Sequence, residues 1–259
     1  MRGVALPPEH GAWGFLSEAL IVGLIAAASP AAFAVAAAGL ALFLLRQPFK
    51  VVLADRLQRG RLFPRTRVAL AFAAAYGGAA GIALFAAGGL AAGAGWVVPF
   101  LIALPAGLFQ LRAELKSDGR ALLPELLGAC AAGALASSCA LASGWPAGAA
   151  AVPWVLLASR AAATIVYART RLRLDRGVPA SRLPAWGLHG AGLAISGVLA
   201  SVNLAPKLAA LVFSLLLGRA LWSLGPMRRP IRPRRLGWQE MALGVGSAFA
   251  FALGFRLGL

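Results

Sequence analysis

The chain has 259 residues, 60% hydrophobic and 13% charged, with 25 Lys and Arg against 8 Asp and Glu and a formal net charge of +17. Water-soluble domains carry about 25% charge, and a soluble chain this apolar would expose large aggregating patches. A soluble fold is therefore excluded and an all-α polytopic membrane protein is implied, consistent with a mean hydropathy of +0.80. In such a chain positive charge records topology rather than a nucleic-acid partner.

Membrane-spanning helices need about 20 mostly apolar residues. Nine such runs follow in chain order: 12–29, 31–47, 68–87, 93–111, 121–142, 148–168, 185–203, 206–223 and 237–257. The first stands behind Pro7-Pro8-Glu9-His10, and its "AAASPAA" tail imitates a cleavage site. Pro30 opposes that cut, so the run is read as a retained span rather than a signal peptide. The second is short and is expected to continue past Arg46 as a kinked helix, because Pro48 removes a ladder hydrogen bond. The fifth holds both cysteines, Cys130 and Cys139, nine residues apart on opposite faces. They cannot bridge each other and have no zinc spacing. The sixth carries Arg160, with Tyr167 seven residues on and nearly on the same face. The seventh opens with "GLHGAG", a small-residue packing face around His189.

The basic residues sort by loop. Seven lie in 46–67, three in 112–120, five in 169–182 and five in 228–235, all even-numbered connections, whereas the odd-numbered ones hold only Lys207. By the positive-inside rule the basic loops and the N-terminus are cytoplasmic. The same loops are expected to attract anionic lipid headgroups.

Polar residues inside the spans concentrate toward that side: Glu9 and His10 at the inner end of the first, Glu18 two to three turns deeper, Glu125 just inside the fifth, and Arg160 about two turns from the inner end of the sixth. A charge near the bilayer centre costs about 2.5–3.5 kcal/mol on insertion scales. Arg46, Arg219 and Glu240, nearer the ends, are expected to snorkel outward. Glu18 and Arg160 are too deep for that and are expected to face an internal pocket, where they can pair.

No HExxH, Walker loop or GxSxG occurs. Cations dominate the inner side, so the expected ligand is anionic, a phosphate, diphosphate or lipid head in a cytoplasm-facing cavity. Arg46, Lys50, Arg56, Arg160, Arg169 and Arg171 would hold it, Glu9, His10, Asp55, Glu125 and Asp175 would orient the cations or move protons, and Glu18 and Tyr167 would line the site. The cofactor is unknown, and the scattered carboxylates do not support magnesium. A small-solute transporter and a non-enzymatic assembly protein stay open as alternatives. The sequence does not fix whether the protein is an enzyme, nor its oligomeric state.

One internal correspondence stands out. "ADRLQRGRLFP" and "LDRGVPASRLP" each place an Asp-Arg pair before a proline nine residues after the aspartate, and the two lie 120 residues apart. The chain, read as one domain over 1–259, could thus hold a parallel repeat of 12–111 and 121–223 followed by a final helix, 237–257.

"PPEHGAW" at 7–13, "SDGRALLPELLG" at 117–128 and "YARTRLRLDRG" at 167–177 resemble the YwiC-like family of bacterial membrane proteins. That resemblance implies a multi-pass protein of the bacterial cytoplasmic membrane and carries no activity with it. The architecture is also similar to UbiA-type prenyltransferases, which implies nine spans and a cytoplasm-facing cavity. Their aspartate-rich motifs hold magnesium diphosphate. Here only Asp55 and Asp175 stand at the matching places, and the rest of those motifs is missing.

Overall fold

A computed structural model describes residues 2–58, 60, 63–119, 121–226 and 228–259; the side chains of Arg2, His10 and Gln58 and the loop arginines Arg59, Arg61 and Arg120 lie outside the described residues. A short α1 (Arg2–Ala5) precedes α2 (His10–Ala26), α3 (Pro30–Leu53) and α4 (Pro64–Leu90). They are followed by α5 (Val98–Leu115), α6 (Leu122–Ala132), α7 (Ala134–Ala142), α8 (Ala147–Asp175), α9 (Leu183–Ser201), α10 (Lys207–Ser223) and α11 (Pro233–Leu257). No strand occurs among the described residues.

Local chemistry sets the helix ends. Ser29 caps α3 by accepting the Ala32 N–H at 3.0 Å, with Pro30 at the first position, where its missing N–H is harmless. Pro48 sits inside α3, which runs on to Leu53 and ends in a π-turn, Ala54–Gln58. That extra residue per turn aims Asp55 inward. Its Oδ1 accepts Arg65 Nη2 at 2.5 Å, and its Oδ2 accepts Thr66 Oγ1 at 2.7 Å and Arg65 Nε at 3.2 Å. The carboxylate is fully buried while Arg65 is 48% exposed, so hydrogen bonding outweighs the screened Coulomb term. Asp55→Ala is expected to loosen the α3–α4 hairpin by about 2 kcal/mol, seen as an earlier denaturant midpoint, with Thr66→Val showing part of the same loss. An unchanged midpoint would mean that Asp55 is not the clasp.

The fifth apolar run is divided into α6 and α7 at Gly133. Trp154 of α8 donates its indole N–H to the Cys130 carbonyl at 2.7 Å and so draws it from the helical ladder. A Cβ at Gly133 would stand 2.8 Å from the Trp154 ring, so only glycine admits this approach.

Seven helical stretches are long and apolar enough to cross a membrane: Pro30–Leu57, Pro64–Leu90, Ala94–Leu115, Leu122–Ala142, Ala147–Asp175, Leu183–Ser201 and Pro233–Leu257. Helices α2 and α10, with 17 residues each, are shorter. The chain is thus a multi-pass membrane protein. Its large outward side chains, such as Ile82, Phe85, Leu101 and Ile102, suit acyl chains rather than water.

Cross-links define two ends of the bundle. At one, Ser29 meets Ser143 at 2.7 Å, Ala92 N–H bonds to Ala142 O at 3.1 Å, and Trp145 stacks edge-on to Phe255. The connections at this end contain no acid. At the other, Arg46 reaches Glu114, Arg169 reaches Glu125, and Arg171 reaches the Arg229 carbonyl. This basic end gathers Glu9, the even-numbered loops and the starts of α6 and α11. Helix α2 packs on α11, α7, α3, α8 and α6, while α8 also touches α6, α7, α9, α10 and α11. These two helices therefore line the centre, and α11 closes the bundle against α2. Between them the apolar core of Leu16, Val22, Val35, Leu156, Phe213 and Phe251 fills the middle toward the acid-free end.

Candidate functional site

Helix α8 carries most of the polar interior. Arg160, Thr164, Tyr167 and Arg171 recur at helical spacing along one buried stripe. Arg160 Nε donates to Glu18 Oε2 at 2.8 Å and its Nη2 to Glu18 Oε1, the two-pronged geometry that matches a guanidinium to a carboxylate. The third arm, Nη1, donates to Thr164 Oγ1 at 3.2 Å, and the guanidinium stands 5.8 Å from the Phe15 ring centroid. The side chains are only 2% and 4% exposed, so each is the other's main counter-charge. Gly244 of α11 lies over them. A Cβ there would overlap the Glu18 carboxylate and come within 3.0 Å of Arg160 Nη2.

A second pair stands beside the first. Arg219 of α10 donates through Nη2 to Glu240 Oε1 and through Nη1 to Oε2 at 3.4 Å, and its guanidinium lies 4.4 Å over the Tyr167 ring. The Tyr167 hydroxyl is 2.8 Å from Ser223 Oγ, and its ring meets His189 edge-on at 6.0 Å. His189 Nδ1 bonds to the Ala185 carbonyl at 2.8 Å, a packed structural histidine. Arg219 and Glu240 thus do not snorkel singly as the sequence suggested. In a low-dielectric interior the nearest opposite charge is a stronger partner than a distant interface. Arg46 behaves alike, turning to Glu114 at 2.5 Å.

A cavity of about 620 Å³ opens at the basic end between α2, α6, α8 and α11. Glu18 and Arg160 line its floor together with Glu240. Phe15, Ile165, Leu172, Leu236, Trp238 and Met241 make apolar walls, and Glu125 and Arg234 stand on the wall and lip. Glu125 also accepts Arg169 Nε at 3.1 Å.

The other sequence candidates lie outside this cavity. Glu9 meets Arg46 at 3.7 Å and Lys50 at 3.6 Å, and both cations turn more closely to Glu114, Lys50 at 3.2 Å. These groups clasp the start of α2 to the ends of α3 and α5. The His10 side chain lies outside the described residues, and Arg56 is exposed beside the buried Asp55. Arg171 Nε donates to Asp175 Oδ2 at 2.9 Å and its Nη2 to the Arg229 carbonyl, while Asp175 Oδ2 also accepts the Ile231 N–H at 3.2 Å. So Glu18, Glu125 and Arg160 come together, Tyr167 and Arg169 stand just behind, and Glu9, Arg46, Lys50, Asp55, Arg171 and Asp175 form separate clasps, each with a counter-charge nearer than the cavity.

Sequence reasoning passed over Glu114, Gly244 and Arg234. Glu114 looked like one charge of a mixed loop but sits in the last turn of α5, beneath Arg46 and Lys50. Gly244 is one of 31 glycines, and nothing local marks it. Arg234 was counted only as a topology signal. A tally of the 25 cations against the eight acids shows that most cations must stay unmatched, but not which ones.

The two aspartates that follow the second and sixth spans sit in different clasps, Asp55 with Arg65 and Asp175 with Arg171. Among the described residues no three His, Cys, Asp or Glu side chains converge. This donor set does not fit a magnesium diphosphate centre of the aspartate-rich kind.

A family model described as "YwiC-like protein" matches residues 6–140, just over half of the 259 residues. The chain belongs to the YwiC-like protein family. The matched part includes the "PPEHGAW" and "SDGRALLPELLG" stretches and supplies the α2 and α6 walls of the cavity, with Glu18 and Glu125. The α8 and α11 walls, with Arg160 and Glu240, and the "YARTRLRLDRG" stretch lie beyond it. The cavity is therefore shared between the YwiC-like match and the remainder of the chain. No curated protein and no solved structure matches the chain.

Proposed function

We propose that this protein crosses the bacterial cytoplasmic membrane nine times, with its N-terminus and basic end in the cytoplasm, and that its cavity binds an anionic amphiphile, an isoprenoid or lipid with a phosphate or diphosphate head. The nine spans add α2 and α10 to the seven longer stretches, and the loop charges orient the bundle. The single observation that carries the ligand is the cavity itself. Its volume of about 620 Å³ is within the range of small-molecule sites, ~300–1,000 Å³. Its walls are largely apolar, its charges are Glu18, Glu125, Glu240, Arg160 and Arg234, and its lip adjoins the arginine-rich 228–235 segment. A UbiA-like arrangement of helices is part of this reading, with arginine rather than metal-bound aspartates meeting the phosphate.

A transporter would need a polar route to the other side. The packed core of Val22, Leu156, Phe213 and Phe251 lies in that direction, which favours a one-sided binding site. The test is thermal unfolding in phosphatidylcholine nanodiscs, followed by tryptophan fluorescence, with geranylgeranyl diphosphate added in the presence and absence of magnesium. The expected result is saturable stabilisation, which follows from mass action when a ligand binds only the folded state. Absence of any shift up to solubility would remove the proposal. A shift seen only with magnesium would contradict its metal-free form.

A further inference from the structure

Resting on the reading of the cavity as an amphiphile site, we infer that the 228–235 segment is its headgroup clamp: the phosphate sits at the lip against Arg234 and its neighbours, and the hydrocarbon tail runs inward to the Glu18–Arg160 floor. The distribution of counter-charge leads there. Arg160 gives Nε and Nη2 to the two oxygens of Glu18 and Nη1 to Thr164, so none of its three nitrogens is left without a partner. Arg219 is matched by Glu240, and Arg169 by Glu125. An anion that entered deeply would have to displace a carboxylate and leave it buried without its base, a costly exchange. Among the described residues Arg234 is the lining cation with no carboxylate paired to it, and it is exposed at the mouth. Arg232 and Arg235 flank it and are exposed as well.

The clamp is held in place rather than loose. Asp175 Oδ2 accepts the Ile231 N–H at 3.2 Å, Arg228 Nη2 donates to the Leu174 carbonyl at 3.0 Å, and Arg171 holds the Arg229 carbonyl. These bonds tie the segment to the end of α8, immediately before Pro233 and Arg234 enter the cavity wall. Asp175 and Arg171, more than nine-tenths buried, are thus positioning residues for the lip. Inward from Arg234 the walls are Leu236, Leu172, Ile165, Met241 and Phe15, a path for a tail. Free phosphate shares the head chemistry but lacks the tail, so the test separates them.

Binding is read from tryptophan fluorescence of the full chain in phosphatidylcholine nanodiscs at low and high salt. The ligands are geranylgeranyl diphosphate, geranylgeraniol and inorganic pyrophosphate. The triple variant Arg232→Gln/Arg234→Gln/Arg235→Gln is expected to raise the diphosphate Kd about tenfold or more and to flatten its salt dependence, because exposed charges are screened. Geranylgeraniol should bind weakly and equally to wild type and triple variant, and pyrophosphate alone should bind weakly. Asp175→Asn should raise the Kd several-fold while leaving the salt dependence in place, since the arginines remain but are no longer held. Glu18→Leu/Arg160→Leu alters the floor that the tail reaches, so it should shift the Kd of geranylgeranyl diphosphate and of geranylgeraniol by the same factor and leave the salt dependence in place. Two outcomes overturn the clamp alone: wild type binding that the triple variant retains, or a loss in the Glu18→Leu/Arg160→Leu protein that is confined to the diphosphate and absent for geranylgeraniol, which would put the head at the floor. No binding by wild type overturns the amphiphile site and the clamp together. Binding of pyrophosphate as tight as that of the lipid diphosphate overturns the tail path.

Discussion

Arg160→Leu is expected to lower stability by about 3–5 kcal/mol, and Glu18→Leu added to it should restore most of that loss. The single change leaves the Glu18 carboxylate, 4% exposed, without its base and poorly hydrated. The double change replaces both charged side chains with apolar ones of tolerable volume, and a buried ion pair exchanged for apolar packing is often neutral or stabilising. The measurement is reversible unfolding in mixed detergent micelles for wild type, both single variants and the double, with the coupling taken from the cycle. Additive losses would show that the two side chains do not depend on each other, and the floor of the cavity as described would be wrong.

Gly244→Ala should cost about 2–3 kcal/mol, an outsized effect for one methyl group. The added Cβ would overlap a Glu18 carboxylate oxygen and press on Arg160 Nη2 at 3.0 Å, so either α11 backs away from α2 or the two-pronged pair is broken. Gly246, two residues on, is the control. A Cβ there meets nothing within 4 Å, so Gly246→Ala should be neutral or slightly stabilising through helix propensity. The same unfolding assay compares the two, and equal effects would show that the backbone of α11 does not rest on the ion pair.

The membrane class was legible in the sequence because hydropathy is summed over many residues. The continuation of α3 past Arg46 and Pro48 could also be read, since a run ending at Arg46 is short for a span, and the helix goes on to Leu53. The α6–α7 break could not. Its cause is Trp154, which reaches the Cys130 carbonyl from a different helix, and neither local stretch records that contact. At the site the depth of Glu18 and Arg160 was readable from spacing, because insertion cost depends on distance from the interface. Which arginine meets which acid was not. Arg46 and Glu114 are 68 residues apart, and a one-dimensional list of charges cannot show that Glu114 is nearer to Arg46 than Glu9 is. Gly244 was invisible for a similar reason: what makes it special is the carboxylate resting on it from α2.

The bond between Glu18 and Arg160 spans 142 residues of chain, and this has a consequence for biogenesis. At a synthesis rate of roughly 5–20 residues per second, α2 exists for about seven to twenty-eight seconds before its base is made. Throughout that interval the helix either dwells at the water–lipid boundary or is sheltered by the insertion machinery. Its final seating is thus timed by the arrival of α8, so the earliest and middle parts of the polypeptide are committed to the bilayer as one event.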